Sequence, residues 1–232
     1  MIIFNFFLKY YFIFLNQSYY KSDNLLDKVF LLKDKVLSKI NMEVNIDESV
    51  KLLDYCDDVN YFYNKKLKYG CSLLYSLLFS YMSSVDKFTS SVLFARKSLR
   101  LNPVNESLWL HLGFLLGRMQ DIKGSINAFR KSLSFARIKS NNEVVADSMF
   151  GMGIGFYLLN NFELSKKYLL YSESVNLKLK RVEQLTKVYY QLGSLFKKNN
   201  NKKISLFYFN KALEIVNDVE VKNEILEEIN KK

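Results

Sequence analysis

Bulky apolar residues return along this chain at every third or fourth position rather than at every second. From Ser72 onward the runs are Tyr75, Leu78 and Met82; Trp109, Leu112 and Leu116; Met149, Met152 and Phe156; and Tyr189, Leu192 and Phe196. That spacing lines one face of an α-helix. Each run ends in a polar stretch ("VDKF", "MQDI", "LNNF", "NNNKK") and gives way to a second helical pattern. In the second pattern small residues flank a position that is large in three of four cases: Ser91–Ala95–Ser98, Ser125–Phe129–Ser132, Ser165–Leu169–Ser172 and Ser205–Phe209–Ala212. The pattern predicts helical hairpins, repeated four times.

The repeats start at Ser72, Glu106, Ala146 and Thr186, which are 34, 40 and 40 residues apart. Fixed periods of this length signal stacked supersecondary units. Counted from those starts, position 8 is Phe79, Gly113, Gly153 and Gly193. Gly in a helix interior costs roughly 0.5–1 kcal/mol relative to Ala, so a recurring one needs a packing reason. With the serines at position 20, these glycines let the two helices of a hairpin approach closely.

This arrangement resembles the tetratricopeptide repeat, a helical hairpin with Trp, Leu-Gly, Tyr, Ala, Phe, Ala and Pro at comparable places. The resemblance covers residues 72–218 and is strongest over 106–139, where Trp109, Leu112, Gly113, Ser125, Phe129 and Ser132 fall in frame. It implies an all-α fold of antiparallel helix hairpins stacked into a right-handed superhelix, with units at 72–105, 106–145, 146–185 and 186–218. Residues 21–71 read as a degenerate first hairpin, with Ser49, Leu53 and Cys56 at second-helix spacing, and 219–232 as a C-terminal capping helix. Phe79 stands where Gly is expected, which predicts a wider first hairpin. The later units lack a counterpart of Pro103, so their helices are expected to run about one turn longer.

Residues 1–20 open with "MIIFNFFLKYYFIFL", which is shorter than the roughly 20 apolar residues a spanning helix needs and is interrupted by Lys9. Three readings stand side by side: an interfacial membrane anchor, a cap on the array, or an extension upstream of a start at Met42.

Composition narrows the class. The chain is 49% hydrophobic and 25% charged, with one Pro and eight Gly, too few for an all-β protein with many tight turns. Cys56 and Cys71 suggest neither a metal cluster nor a disulfide framework, and a reducing, cytoplasmic setting is the expectation that follows. The net charge is +11, but Lys outnumbers Arg 28 to 6 and Asn, Ile, Phe and Tyr are abundant. That bias is what AT-rich codons write at tolerant surface positions, so the charge argues only weakly for nucleic acid.

Catalytic chemistry is not visible. His111 stands alone in a repeat helix, without His or Cys at metal-ligand spacing. "GMGIG" at 151–155 lies inside a helix, whereas a phosphate loop joins a strand to a helix. "DYCDD" at 54–58 reads as a solvated face, and no nucleophile–base pair emerges. The expectation is a protein that is not an enzyme and holds no cofactor or metal.

The resemblance further implies that positions 2, 5, 9, 12 and 13 of each first helix line a concave side. The repeats that grip the acidic C-terminus of a chaperone carry Lys and Asn at positions 5 and 9. Here those positions hold Ser76, Leu110, Phe150 and Tyr190, then Ser80, Phe114, Ile154 and Ser194, so that activity is rejected. The centre is instead apolar, through Leu110, Phe114, Phe150, Ile154, Tyr157 and Tyr190, with Arg118 and Lys197 as basic members. The leading expectation is a scaffold or adaptor that holds a partner peptide or helix in this groove, with chaperone-like shielding as one form of it. A membrane-tethered assembly factor and an RNA-binding helical repeat are the alternatives. The chain's own N-terminal segment is a further candidate to fill the concavity.

Overall fold

The computed structural model describes residues 65–230 together with Cys56. Among these residues every regular element is helical: α1 Lys65–Ser84, α2 Phe88–Leu101, α3 Glu106–Arg118, α4 Ile122–Ile138, α5 Asn142–Leu158, α6 Phe162–Leu179, α7 Val182–Lys198, α8 Lys202–Ile215 and α9 Val219–Asn230. The readings made for residues 1–20 and for most of 21–71 lie outside the described residues. No described helix is long and apolar enough to cross a membrane.

The chain divides into two compact units, Met1–Pro103 and Val104–Lys232. In the first, α1 packs against α2 around Leu74, Tyr75, Leu78 and Phe79. Cys56 and Cys71 are joined by a disulfide across 15 residues, with Cα atoms 5.5 Å apart. This corrects the expectation of unpaired thiols and removes the ground for inferring a reducing compartment. Cys71 lies on the buried side of α1, and the fold brings Cys56 to it, a proximity that sequence spacing does not encode.

The second unit stacks three hairpins, α3–α4, α5–α6 and α7–α8. Each second helix also packs on the next first helix, and α5 touches both α3 and α7, so the first helices form one layer. The closing helix α9 packs on α7 and α8 by burying Ile225 against Leu185, Tyr189 and Phe209.

Proline placement sets helix length. The helices on either side of Pro103 have 14 and 13 residues, whereas α4, α5, α6 and α7 have 17, 17, 18 and 17. The expected extra turn is present. From Gln120 the chain then reverses every 20 residues, at Gln120, Ser140, Asn160, Lys180 and Asn200, each with positive φ. All five turns share one pattern. At the first, Gln120 N–H donates to the Gly117 carbonyl and Asp121 N–H to that of Leu116, the 6→1 and 5→2 pair that ends many helices. Asp121 then caps the next helix by accepting from the Gly124 N–H. Asn141, Asn161 and Asn201 cap in the same way.

Left-handed backbone costs a residue with a Cβ about 1–2 kcal/mol, and Gln120 adopts it at φ 64°. Gln120→Gly is expected to raise unfolding stability by about 0.5–1 kcal/mol, after allowance for the freer unfolded chain. Chemical denaturation checks this, and unchanged or lower stability would refute it.

Within each hairpin the glycine and serine positions perform two separate tasks. A Cβ added at Gly113, Gly153 or Gly193 would lie 2.6–2.7 Å from Phe129, Leu169 or Phe209, the large residue at position 24 of the partner helix. The glycine leaves room for that side chain. The serine at position 20 donates its hydroxyl to the position-8 carbonyl across the hairpin: Ser91 to Phe79, Ser125 to Gly113, Ser165 to Gly153 and Ser205 to Gly193, at 2.7–2.8 Å. At position 27, Ser98, Ser132 and Ser172 donate to the carbonyls of Ser72, Glu106 and Ala146.

These bonds correct the expectation of a wider first hairpin. Ser91 reaches the Phe79 carbonyl at 2.8 Å, as its counterparts do. Position 24 there is Ala95, so the large and small residues have changed helices and the gap is the same. The three glycines of "GMGIG" also divide their work. Gly153 faces Leu169 of α6, while Gly151 and Gly155 face Phe129 and Ile126 of α4. Close packing on two sides of α5 accounts for all three.

Candidate functional site: the first-helix face of the second unit

The face expected to bind is built on α3, α5 and α7, and its eight proposed residues divide into four groups. Leu110 is a correction: it is only 6% exposed and packs with Ile126, Val145 and Met149 in the core between hairpins. The longer α5 puts Val144 and Val145 ahead of the repeat frame, and they cover it. Phe150 and Tyr190 are half-buried, Phe150 against the Leu169–Leu192 cluster and Tyr190 beside Phe209 at 5.8 Å between ring centroids. Lys197 is engaged by the cap, donating to the Glu228 carbonyl at 2.6 Å and to its carboxylate at 3.1 Å.

Of the other four, Phe114 and Arg118 are exposed, whereas Ile154 and Tyr157 are half-buried, Tyr157 against the same cluster as Phe150. Phe114 is 38% exposed and lies edge-on to Phe129 at 4.9 Å, held by the ring that Gly113 admits. Leu158, 48% exposed, and Lys198 extend the same face. The C-terminal ends of α5 and α7 enclose a cleft of about 150 Å³ with the start of α6, lined by Tyr157, Asn160, Phe162, Leu195, Lys198 and Asn199. Burial, and then the Glu228 carboxylate, hold the Tyr157 phenol above its ordinary pKa, so it stays protonated. His111 sits on the α3 flank. Surrounding protein lowers its pKa, against the opposing charge of Asp147, and the imidazole is neutral at pH 7. No group of three or more His, Cys, Asp or Glu among the described residues could hold a metal.

Two polar junctions tie successive hairpins beneath this face, and sequence reasoning missed both. At the first, Glu106 accepts from Lys139 and from Asn141, while Ser148 bonds to Ser132, which bonds in turn to the Glu106 carbonyl. Burial raises the Glu106 pKa, but the bonds from Lys139, the backbone and Asn141 outweigh it and leave the carboxyl below its ordinary value. At the second, Arg181 grips Asp147 through both nitrogens and also reaches the buried Asn176. The available signal was the presence of Arg181 in a chain that otherwise favours Lys.

The surplus of lysine is partly structural. Lys97, Lys131 and Lys211 occupy position 26 of their hairpins and lie over the position-4 aromatics Tyr75, Trp109 and Tyr189 at 5.3, 4.3 and 4.2 Å. In the remaining hairpin position 4 is Met149 and position 26 is Tyr171, so both partners change together.

Comparison with known proteins agrees with the fold. These helix pairs, joined by tight turns and closed by small residues, define a helical-hairpin repeat protein. The tetratricopeptide-repeat family model matches residues 186–217, the α7–α8 hairpin. The α7–α8 hairpin thus matches the tetratricopeptide repeat in sequence, and the earlier hairpins carry the same inter-helix serine bonds in divergent sequence. Among solved structures, Pseudomonas aeruginosa PilF is similar with a TM-score of 0.62 at 12% identity, over 90% of this chain and 91% of that one. BtubC from P. vanneervenii gives 0.60 at 16% identity, over 88% and 81%. The MamA protein gives 0.53 at 14%, over 68% and 87%. No curated protein matches the sequence. Repeats of this type generally serve protein–protein interaction and are typically non-catalytic.

Proposed function

We propose that this chain is a non-catalytic adaptor that holds a segment of a partner protein against the first-helix face of its second unit. The observation that carries the reading is Phe114 on α3 and Leu158 on α5, beside the half-buried Ile154 and Tyr157. Large apolar side chains remain open to solvent on adjacent helices of a layer whose other faces are packed. Such patches mark contact surfaces, and buried anchors of this kind dominate binding energies.

The test compares Phe114→Asp/Ile154→Asp with Phe207→Asp, which changes a 57% exposed ring on α8, in affinity capture from cells that express the protein. The first variant is expected to lose a specific co-purifying protein by roughly ten-fold or more, since one hot-spot side chain is worth about 2 kcal/mol. The second is expected to retain it. Equal recovery by all three proteins would overturn the reading.

A further inference from the structure

The cleft beside Tyr157 shows what kind of segment fits. We infer that it seats one bulky apolar side chain of a partner peptide whose flanking residues are acidic, an inference that rests on the adaptor reading above. At about 150 Å³ the cleft is smaller than the roughly 300–1,000 Å³ of small-molecule sites and suits a single side chain. Its lining combines the Tyr157 and Phe162 rings and Leu195 with the amides of Asn160 and Asn199.

Charge decides what surrounds the anchor. Lys198 lies 4.5 Å from the Tyr157 ring centroid and Lys166 lies 5.1 Å from that of Phe162, so a cation stands at each aromatic wall. Lys166 is shared with Glu163, which is itself solvent-exposed. Lys198 has no carboxylate partner among the described residues, and no acidic residue lines the cleft. Glu228, whose charge is felt at Tyr157, is already committed to Lys197. An acidic side chain next to the anchor therefore meets an uncompensated ammonium, whereas a basic one meets repulsion.

The experiment selects a phage-displayed library of random peptides on the full chain, on Lys198→Glu, on Phe114→Asp/Ile154→Asp, and on Lys178→Glu. The last variant makes the same charge change at the far end of α6. The expected consensus is a Leu, Phe or Met with Asp or Glu within two residues, unchanged by Lys178→Glu. Peptides synthesised from it should bind Lys198→Glu roughly five-fold more weakly, the scale of a reversed exposed ion pair, and selection on that variant should lose the acidic preference. A consensus without acidic flanks, or one that Lys198→Glu leaves unchanged, would overturn the cleft inference. If such a consensus were still lost in Phe114→Asp/Ile154→Asp, the adaptor reading would survive. No enrichment on the unmodified chain would overturn both.

Discussion

Gly193→Phe is expected to unfold the last hairpin, and adding Phe209→Ala is expected to restore much of the loss. A Cβ at Gly193 would lie 2.6 Å from Cδ1 of Phe209, a ring fully buried between α7 and α8. Even Gly193→Ala, which helix propensity alone would favour by about 1 kcal/mol, should destabilise, because a packed ring has nowhere to move. Phe209→Ala alone should cost about 3–5 kcal/mol through the cavity it leaves. The double change places a ring back into that cavity from the opposite helix. The chain already contains this solution: Phe79 and Ala95 make the reciprocal pair in the α1–α2 hairpin, with the Ser91 bond intact at 2.8 Å. A double-mutant cycle by chemical denaturation should show a favourable coupling of about 2–3 kcal/mol. Strictly additive losses would mean that position 8 and position 24 do not share one gap.

The same pair shows why much of the fold was legible in the sequence and some of it was not. Helical periodicity and the recurrence of Gly113, Gly153 and Gly193 depend on contacts within one hairpin, which local spacing encodes. Read alone, Phe79 suggested a looser hairpin, because its compensation lies sixteen residues away at Ala95. The serines were read only as small. Their hydroxyl bonds could have been suspected, since position 20 holds Ser four times where Ala or Gly would serve close packing as well. The disulfide lay beyond such reading, because it depends on the path of the chain between Cys56 and Cys71. For the proposed face, Phe114 and Arg118 are exposed as helical position predicted, while Phe150, Ile154, Tyr157 and Tyr190 are half-buried. Helical position failed for Leu110, covered by the longer α5, and for Lys197, engaged by α9. Both failures come from neighbouring helices, whose lengths and ends lie outside any single repeat frame.

Arg181→Met is expected to destabilise the second unit by about 3 kcal/mol. The guanidinium donates to both carboxylate oxygens of Asp147, at 3.0 and 3.1 Å, and to Oδ1 of Asn176 at 3.2 Å. Asn176 is buried and uses its amide nitrogen on the Ser172 carbonyl, so its oxygen has no alternative donor in view once Arg181 is gone. A buried acceptor without a donor costs about 1–3 kcal/mol, and a carboxylate deprived of its partner adds to that. Arg181→Lys should recover only part, because an ammonium lacks the planar fork that spans two oxygens. Arg181→Met/Asp147→Leu should be more stable than Arg181→Met, since it removes the stranded charge along with its partner. Denaturation midpoints rank the three variants, and amide exchange across 176–182 should report the loosened turn. Equal stability of Arg181→Met and the unmodified chain would show that the α5–α6–α7 junction is held by its apolar packing alone.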